Sequence, residues 1–299
     1  MKNVIKIGTR ASQLAIKQAE LAKKAIQSVL DREVEIITIT TKGDKILYKT
    51  LDKIGGKGLF VKEIEKALLD KTIDIAVHSM KDMPDDMPDG LTLGGVLKRE
   101  NPMDALVCKG PFTWQTLPKG AKVGTGSLRR RVQLLAQRPD LNVIPIRGNI
   151  MTRLSRLEKD LDAVVLAVAG LVRNGQQQRI SHIFKLEEMV PAACQGILAL
   201  QIRKEDVFLK ESIQKISDKE ADDCQRAERA FLKEIGADCH APAGALAEIK
   251  ENKMFMTALF YDQKLFCTQA NAEVTQAEAL GKKLALEIKK QIDMQWVKY

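Results

Sequence analysis

The stretch from residue 123 to residue 156 constrains the fold most strongly, because it twice places a polar turn and a helix after a strand. The first predicted strand leads through a glycine-containing turn to Ser127, the expected N-cap of a helix over 128–137. A second strand is predicted at 142–146, and another helix opens at or just before Thr152. Strands that alternate with helices in this way are typical of an α/β fold.

The same stretch holds seven arginines, no lysine and one acidic residue, Asp140. Guanidinium groups bind carboxylates and phosphates through paired hydrogen bonds, whereas lysine acts as a point charge. The residues alone leave open a solvated helix face, expected for Arg138 and Arg156, a nucleic-acid surface or a single-phosphate site. Stacking aromatics are missing between the arginines, and seven exceed what one phosphate needs, so composition favours a ligand with several carboxylates.

At 299 residues the chain exceeds one compact core, so two or three domains are expected. Its net charge of +9 favours an acidic partner. The longest apolar run, 163–172, is shorter than the ~20 residues of a membrane span, and the sequence opens without a signal-peptide pattern. Five cysteines lack metal-ligand spacing. We therefore expect a cytoplasmic protein without a metal site.

The N-terminal region repeats the strand–turn–helix construction. A strand at 4–7 turns through Arg10 and Ser12 into a helix that extends to about Leu30, and 34–41 is a β-branched strand. The following segment, 53–58, interleaves three glycines with two lysines but lacks a nucleotide P-loop arrangement. A mobile basic loop and an ordinary flexible loop are the two interpretations of this segment.

A strand predicted at 73–77 runs directly into His78-Ser79-Met80-Lys81-Asp82. Because adjacent residues of an extended chain face opposite sides, His78 and Ser79 make a poor base and nucleophile pair. Asp82 is a candidate for electrostatic or proton-transfer work, and a turn-capping aspartate is the alternative that the residues alone favour slightly. His78 alone is more typical of a structural histidine.

The second half of the sequence continues the pattern and then changes. Further strands are predicted at 105–108, 163–167 and 197–202. From about Asp218 the order becomes a helix, a loop, three short antiparallel strands and a closing helix, predicted at 220–235, 237–242, 245–249, 254–260, 265–270 and 276–291. This order predicts a small α+β domain at the C-terminus.

The loop at 237–242 carries Cys239 between Asp238 and His240. Most free cysteines are small buried hydrophobic residues, yet a loop position after a helix suits an accessible thiol. A Cys-His metal pair lacks further ligands at metal spacing.

Several blocks of the sequence match one known family. They are Ile7–Arg10, Gly55–Phe60, Ala76–Asp82, Gly124–Arg130, Arg147–Asn149, Leu166–Leu171 and Gln195–Gly196. On these blocks the sequence resembles the porphobilinogen deaminase (hydroxymethylbilane synthase) family, and the similarity covers essentially the whole chain.

The resemblance implies an α/β fold with two lobes like those of periplasmic binding proteins and a small C-terminal α+β domain. The first lobe, on the side of the catalytic aspartate, is expected at 1–98 and 197–216. The arginine-rich, carboxylate-binding lobe is expected at 99–196, and the cofactor-attachment domain at 217–299.

The resemblance also implies a transferase of tetrapyrrole biosynthesis, active as a monomer and without nucleic acid or membrane partners. It would condense four porphobilinogen molecules into hydroxymethylbilane and release ammonia, with Asp82 as the catalytic residue. Its dipyrromethane cofactor would be joined by a thioether to Cys239. Cofactor-binding residues would be Ser79, Lys81, Thr125, Ser127, Arg129, Arg130, Arg147 and Gln195. Substrate-binding residues would be Arg10, Ser12, Lys53, Lys57, Arg153 and Arg173.

Two positions depart from the pattern of the family. Gly126 stands where serine is common, and Asp238 stands where glycine usually precedes the cofactor cysteine. The charge of Asp238 would raise the pKa of the thiol or repel cofactor carboxylates. A non-catalytic carboxylate-binding protein is the alternative from another functional class, but it leaves Asp82 and Cys239 together unexplained.

Overall fold

The structure is a computed structural model that describes residues 4–41, 43, 61–237 and 241–296. The described residues divide into two compact units. The first comprises those up to Glu100 together with Gly196–Asp222, and the second comprises Asn101–Gln195 together with those from Asp223 onward. Among the described residues, no helix combines the length and the apolar character that crossing a bilayer requires.

The first unit is an α/β lobe around a five-stranded sheet. Its strands are β1 (Ile5–Arg10), β2 (Val34–Ile39), β3 (Ile75–Ser79), β4 (Leu91–Leu97) and β10 (Leu198–Arg203), and its helices include α1 (Gln13–Gln27), α2 (Lys62–Leu69) and α6 (Val207–Gln214). The strand order is β2-β1-β3-β10-β4. The first three strands are parallel, and β10 pairs antiparallel with both of its neighbours. Parallel β1 and β3 therefore end at the same edge of the sheet.

Apolar side chains cover both faces of this sheet. Ile7, Ala19 and Ile26 belong to a core shared by the sheet, α1 and α6, while Ile64 and Leu68 of α2 pack on the other face. Strand β4 and helix α6 were missed in the sequence. A Cβ at Gly95 of β4 would lie 2.8 Å from Ile213 of α6, so the glycine that weakens the strand pattern is what allows the helix to pack closely.

The second unit begins with another five-stranded α/β sheet. Its strands are β5 (Asp104–Cys108), β6 (Lys122–Gly124), β7 (Asn142–Ile144), β8 (Ala163–Ala167) and β9 (His182–Ile183), and its helices are α3 (Leu128–Gln137), α4 (Ile150–Leu154) and α5 (Val168–Arg173). The order is β7-β6-β8-β5-β9, with β6 parallel to β7 and β8. As predicted, Ser127 caps α3, and its hydroxyl accepts a hydrogen bond from the Arg130 N–H.

The C-terminal part of the second unit is the predicted small α+β arrangement. It consists of α7 (Lys219–Ile235, in this unit from Asp223), β11 (Ala243–Lys250), β12 (Lys253–Asp262), β13 (Lys264–Glu273) and α8 (Ala277–Trp296). The three strands form an antiparallel sheet in chain order. The buried Glu228 carboxylate of α7 accepts the Ala247 N–H at 2.8 Å, which fixes the helix to β11. The predicted fold class, α/β lobes followed by a small α+β domain, is confirmed.

Candidate active site

In the first unit, a cavity opens where β1 and β3 end and α1 begins. Arg10 is the last residue of β1, and Ser12 caps α1 by accepting a hydrogen bond from the Ala15 N–H at 3.3 Å. Ser79 ends β3, and Asp82 lies in the short 3₁₀ turn that follows. The cavity is lined by Arg10, Ser12, Leu14, Ala15, Gln18, Val61, Val77, His78, Ser79 and Asp82. Four residues predicted from the sequence, Arg10, Ser12, Ser79 and Asp82, are therefore brought together.

Asp82 is exposed in this cavity rather than enclosed in a turn motif. Within the described part of the chain, no hydrogen bond joins its carboxylate to a backbone N–H. The 3₁₀ turn itself has no side-chain cap from Ser79. The structure therefore gives no support to a turn-capping role for Asp82 and leaves its negative charge facing the cavity.

Gln18, on the buried side of α1, was not among the site residues predicted from the sequence. Its Nε2 donates a hydrogen bond to the Ser79 hydroxyl at 2.9 Å, and it lines the same cavity. The available signal was a glutamine in line with Ala15, Ala19 and Ala22 on an otherwise apolar helix face. A buried amide at such a position needs a partner, and Ser79 provides it.

His78 and Ser79 face opposite sides of β3, as predicted. Ser79 contacts Gln18 of α1, whereas the His78 Nε2 lies 3.0 Å from Gln201 Oε1 of β10. Burial lowers the pKa of His78 to about 4 against the opposing effect of the Gln201 hydrogen bond, and Arg10 contributes a smaller further lowering. The imidazole is therefore neutral near pH 7.

In the second unit, the predicted anion-binding turn lies where β6 gives way to α3. Thr125 Oγ1 accepts a hydrogen bond from the Ser127 N–H at 3.2 Å, and the Thr125 N–H donates to Ile144 of β7 at 3.0 Å. A Cβ at Gly126 would lie 2.5 Å from the Ile146 carbonyl oxygen. Glycine instead of serine at position 126 thus accompanies a close approach of the backbone at 126 and the backbone at Ile146.

Arg129 and Arg130 are not displayed on an open surface; both are buried against Asp104. Arg129 Nη2 lies 2.8 Å from Asp104 Oδ2, and Arg130 Nη2 lies 2.7 Å from Oδ1. The two side chains also donate to the carbonyl oxygens of Val190 and Val165 at 2.7 and 3.0 Å. Much of their hydrogen-bonding capacity is therefore used within the protein, and their role in cofactor binding stays a prediction.

Asp104 itself was missed in the sequence, although it is the centre of this cluster. Burial alone would raise the pKa of its carboxyl, but Arg129 and Arg130 outweigh burial and hold the pKa well below its usual range. Gln195 adds a hydrogen bond to Asp104 Oδ1 at 2.9 Å and another to the Pro102 carbonyl at 2.7 Å. Two arginines and one aspartate leave this buried cluster with one positive charge in excess.

The other predicted arginines lie near the same edge of the second sheet. Arg147 follows β7, Arg153 is on α4 and Arg173 ends α5; all three are half-buried. Arg153 Nε donates to the Gly148 carbonyl at 2.8 Å. By contrast, Arg138 and Arg156, expected on solvated helix faces, are partly exposed and paired with Asp140 and Asp160.

Some predicted site residues add nothing to this geometry. Lys53, Lys57, Cys239 and the departure at Asp238 lie outside the described residues. Lys81 lies in the turn between Ser79 and Asp82 and is half-buried. Their roles stay predictions.

The edges of the two α/β sheets thus gather arginines, hydroxyl groups and an exposed aspartate, a chemistry that suits anionic ligands. Comparison with known proteins shows the family of the chain. The family model described as "Porphobilinogen deaminase, dipyromethane cofactor binding domain" matches residues 5–211, and "Porphobilinogen deaminase, C-terminal domain" matches 223–290. The chain belongs to the porphobilinogen deaminase family.

Individual relatives match over most of their length. Porphobilinogen deaminase of Alkaliphilus metalliredigens is 45% identical over 282 residues, covering 93% of this chain and 89% of that protein. The protein of the same name from Acetivibrio thermocellus is 43% identical over 300 residues, covering 97% and 99%. Among solved structures, the chain is similar to the methionine binding protein MetQ, with a TM-score of 0.46 and 15% identity over 74% of this chain and 93% of that one.

Proposed function

We propose that this chain is a hydroxymethylbilane synthase, a transferase of heme and porphyrin biosynthesis. It joins four porphobilinogen molecules head to tail, releases ammonia at each addition, and takes up one water to free the linear tetrapyrrole hydroxymethylbilane. The observation that carries the proposal is the cavity that holds Arg10 and Asp82 together. Porphobilinogen carries carboxylates, which a guanidinium can bind. It also carries an aminomethyl group, and the loss of that group as ammonia creates a cation that a carboxylate can stabilise.

Asp82 is the proposed catalytic residue. When ammonia leaves, the substrate becomes a cationic methylene-pyrrolenine, and positive charge also develops on pyrrole nitrogen during attack by the next ring. A fixed negative charge stabilises both stages, and such preorganised groups commonly contribute about 10²–10³-fold in rate. The exposed Asp82 carboxylate can act in this way without first breaking a capping hydrogen bond.

The buried Arg129–Asp104–Arg130 cluster supports binding of the dipyrromethane cofactor. Its excess positive charge is costly in a buried site unless an anion compensates it, and the cofactor carries carboxylates. Ser79, Lys81, Thr125, Ser127, Arg147 and Gln195 are the further residues proposed to bind the cofactor, and Cys239 is proposed to form the thioether. When bound, dipyrromethane supplies the primer to which substrate is added.

The remaining cationic and hydroxyl side chains are proposed to bind the carboxylates of substrate and product chain. They are Arg10, Ser12, Lys53, Lys57, Arg153 and Arg173. A product that grows ring by ring brings two further carboxylates at each step, which accounts for more arginines than one small anion requires. We further propose a cytoplasmic monomer with three domains, at 1–98 with 197–216, at 99–196 and at 217–299.

Incubation of the purified protein with porphobilinogen tests the activity. We expect four ammonia molecules for each hydroxymethylbilane and an intact mass above that of the bare chain by two linked pyrrole units. A non-catalytic carboxylate-binding protein would bind porphobilinogen without releasing ammonia and would have the bare chain mass. That result would contradict the proposed function.

A further inference from the structure

A buried hydrogen-bond chain runs through the core of the first unit, behind the cavity that contains Asp82. His78 Nε2 lies 3.0 Å from Gln201 Oε1, and Gln201 Nε2 donates to Glu65 Oε1 at 3.0 Å. All three side chains are buried. The chain therefore links β3, β10 and α2 through polar groups in an otherwise apolar core.

The order of donors and acceptors in this chain determines the tautomer of His78. The hydrogen bond from Gln201 Nε2 to Glu65 Oε1 places the amide NH₂ of Gln201 on the side of Glu65. The amide oxygen of Gln201 is then turned toward His78, and an oxygen acceptor requires a proton on His78 Nε2. A neutral ring protonated at Nε2 carries its acceptor lone pair on Nδ1.

His78 also borders the proposed site of chemistry. It lines the same cavity as Arg10 and Asp82, although its Nε2 is directed to Gln201. The charged groups near it are Arg10 from β1, Asp82 from the turn after β3 and Glu65 from α2. Burial and Arg10 lower its pKa to about 4. A second cation beside Asp82 would weaken the negative field that the proposed reaction needs, and a neutral ring avoids this.

We propose that Glu65 and Gln201 are positioning residues that hold His78 as a neutral imidazole protonated on Nε2, so that an acceptor nitrogen and no added charge border the cavity of Asp82. The inference rests on the proposed function for its catalytic consequence, but not for its structural part. A pyrrole N–H is the chemical group of the substrate that such an acceptor nitrogen would bind.

The side-chain ¹⁵N spectrum of the histidines in the cofactor-loaded protein tests the structural part directly. The chain has three histidines, so His78→Gln and His182→Gln variants suffice to assign the spectrum. We expect His78 to be neutral and protonated on Nε2 at pH 7 and at pH 5.5. A charged ring, or one protonated on Nδ1, would overturn the proposal without any substitution at Glu65 or Gln201.

Glu65→Gln replaces the carboxylate at one end of the hydrogen-bond chain by an amide of nearly the same side-chain volume. A glutamine can donate as well as accept, so Gln201 can reverse and His78 can adopt the Nδ1-protonated form. We expect a mixed or reversed tautomer and a fall in kcat of about fivefold, the equivalent of one hydrogen bond, with a smaller change in KM. Glu35→Gln, the same change at an exposed position of β2, should alter neither the tautomer nor the rate.

The two parts of the inference fail separately. An unchanged tautomer in Glu65→Gln would show that the carboxylate does not set it. A reversed tautomer with wild-type kcat would remove the catalytic role while leaving the proposed function intact. Absence of ammonia release from the wild-type protein would instead contradict the proposed function and leave the tautomer measurement valid.

Discussion

The two sheet edges use aspartate in opposite ways. At the edge of the first sheet, Asp82 is exposed in a cavity with Arg10. At the edge of the second sheet, Asp104 is fully buried between Arg129 and Arg130. The same strand–turn–helix construction thus gives one site with an available negative charge and another with a surplus of positive charge. In the proposed function, the first edge carries the chemistry and the second edge anchors carboxylates.

The largest expected effect comes from the point at which the cofactor is attached. Cys239→Ser should give a folded protein without dipyrromethane and without turnover, because a serine hydroxyl does not replace a thiol in forming the thioether. An aldehyde colour reaction for pyrroles on the denatured variant measures this. Cys267→Ser, a change of another cysteine, is the control and should retain full colour; colour retained in Cys239→Ser would mean that a different residue holds the cofactor.

Asp104→Asn should be the next most severe change, and it acts on stability. It leaves two buried guanidinium groups without their carboxylate, which typically costs about 3–5 kcal/mol. We expect a large fall in the free energy of unfolding at pH 7, together with poor loading of cofactor. Asp140→Asn removes the carboxylate from the partly exposed Arg138 pair and serves as the matched control.

The pH dependence of the same variant sharpens this prediction. Because the pKa of Asp104 is depressed in the folded protein, its stabilisation is fully present above the ordinary aspartate pKa of 3.8 and is lost as pH falls through the folded pKa. The difference in unfolding free energy between wild type and Asp104→Asn should therefore be constant from pH 5 to 7 and shrink below about pH 4. A constant difference down to pH 2 would contradict the ion-pair explanation.

Substitution of single arginines at the second edge should have intermediate effects. Charge-assisted hydrogen bonds contribute about 1.5–3 kcal/mol, so Arg147→Ala or Arg173→Ala should slow a particular elongation stage by roughly ten- to a hundredfold. Native mass spectra should show a changed distribution of enzyme-bound chain lengths. Uniform slowing with the wild-type distribution would remove the idea of stage-specific contacts.

The smallest effect is expected at the arginines that pair on the surface. Arg156→Ala breaks its partly exposed pair with Asp160, and such pairs contribute about 0–1 kcal/mol. Thermal unfolding and turnover should both stay close to wild type. If Arg156→Ala lost as much activity as Arg147→Ala, the division of the arginines into site residues and surface residues would be wrong.

Local features of the fold were predictable because short-range chemistry sets them. Ser127 as an N-cap, the opening of α4 just before Thr152 and the opposite orientations of His78 and Ser79 all follow from neighbouring residues. Strand β3 ends two residues later than predicted, at Ser79, so the cavity-lining residues extend the strand rather than follow it.

The polar partners inside the lobes were not predictable in the same way. Asp104 and Arg130 are 26 positions apart, and His78 and Gln201 are 123 apart. The second pair forms only because β10 returns to pair with β3 after the chain has built the second sheet. No local pattern encodes that return, so sequence reasoning identified the charged residues without the partners that decide which of them face a ligand.

Steady-state rates of Asp82→Asn and Asp82→Glu, measured on cofactor-loaded protein, test the central claim most directly. Asparagine keeps size and an acceptor oxygen but loses the charge, whereas glutamate keeps the charge one methylene away. The account predicts that Asp82→Asn loses about 10²-fold or more while Asp82→Glu retains more activity. Asparagine caps turns about as well as aspartate, so a nearly active Asp82→Asn with a slower Asp82→Glu would contradict the assignment of chemistry to this carboxylate.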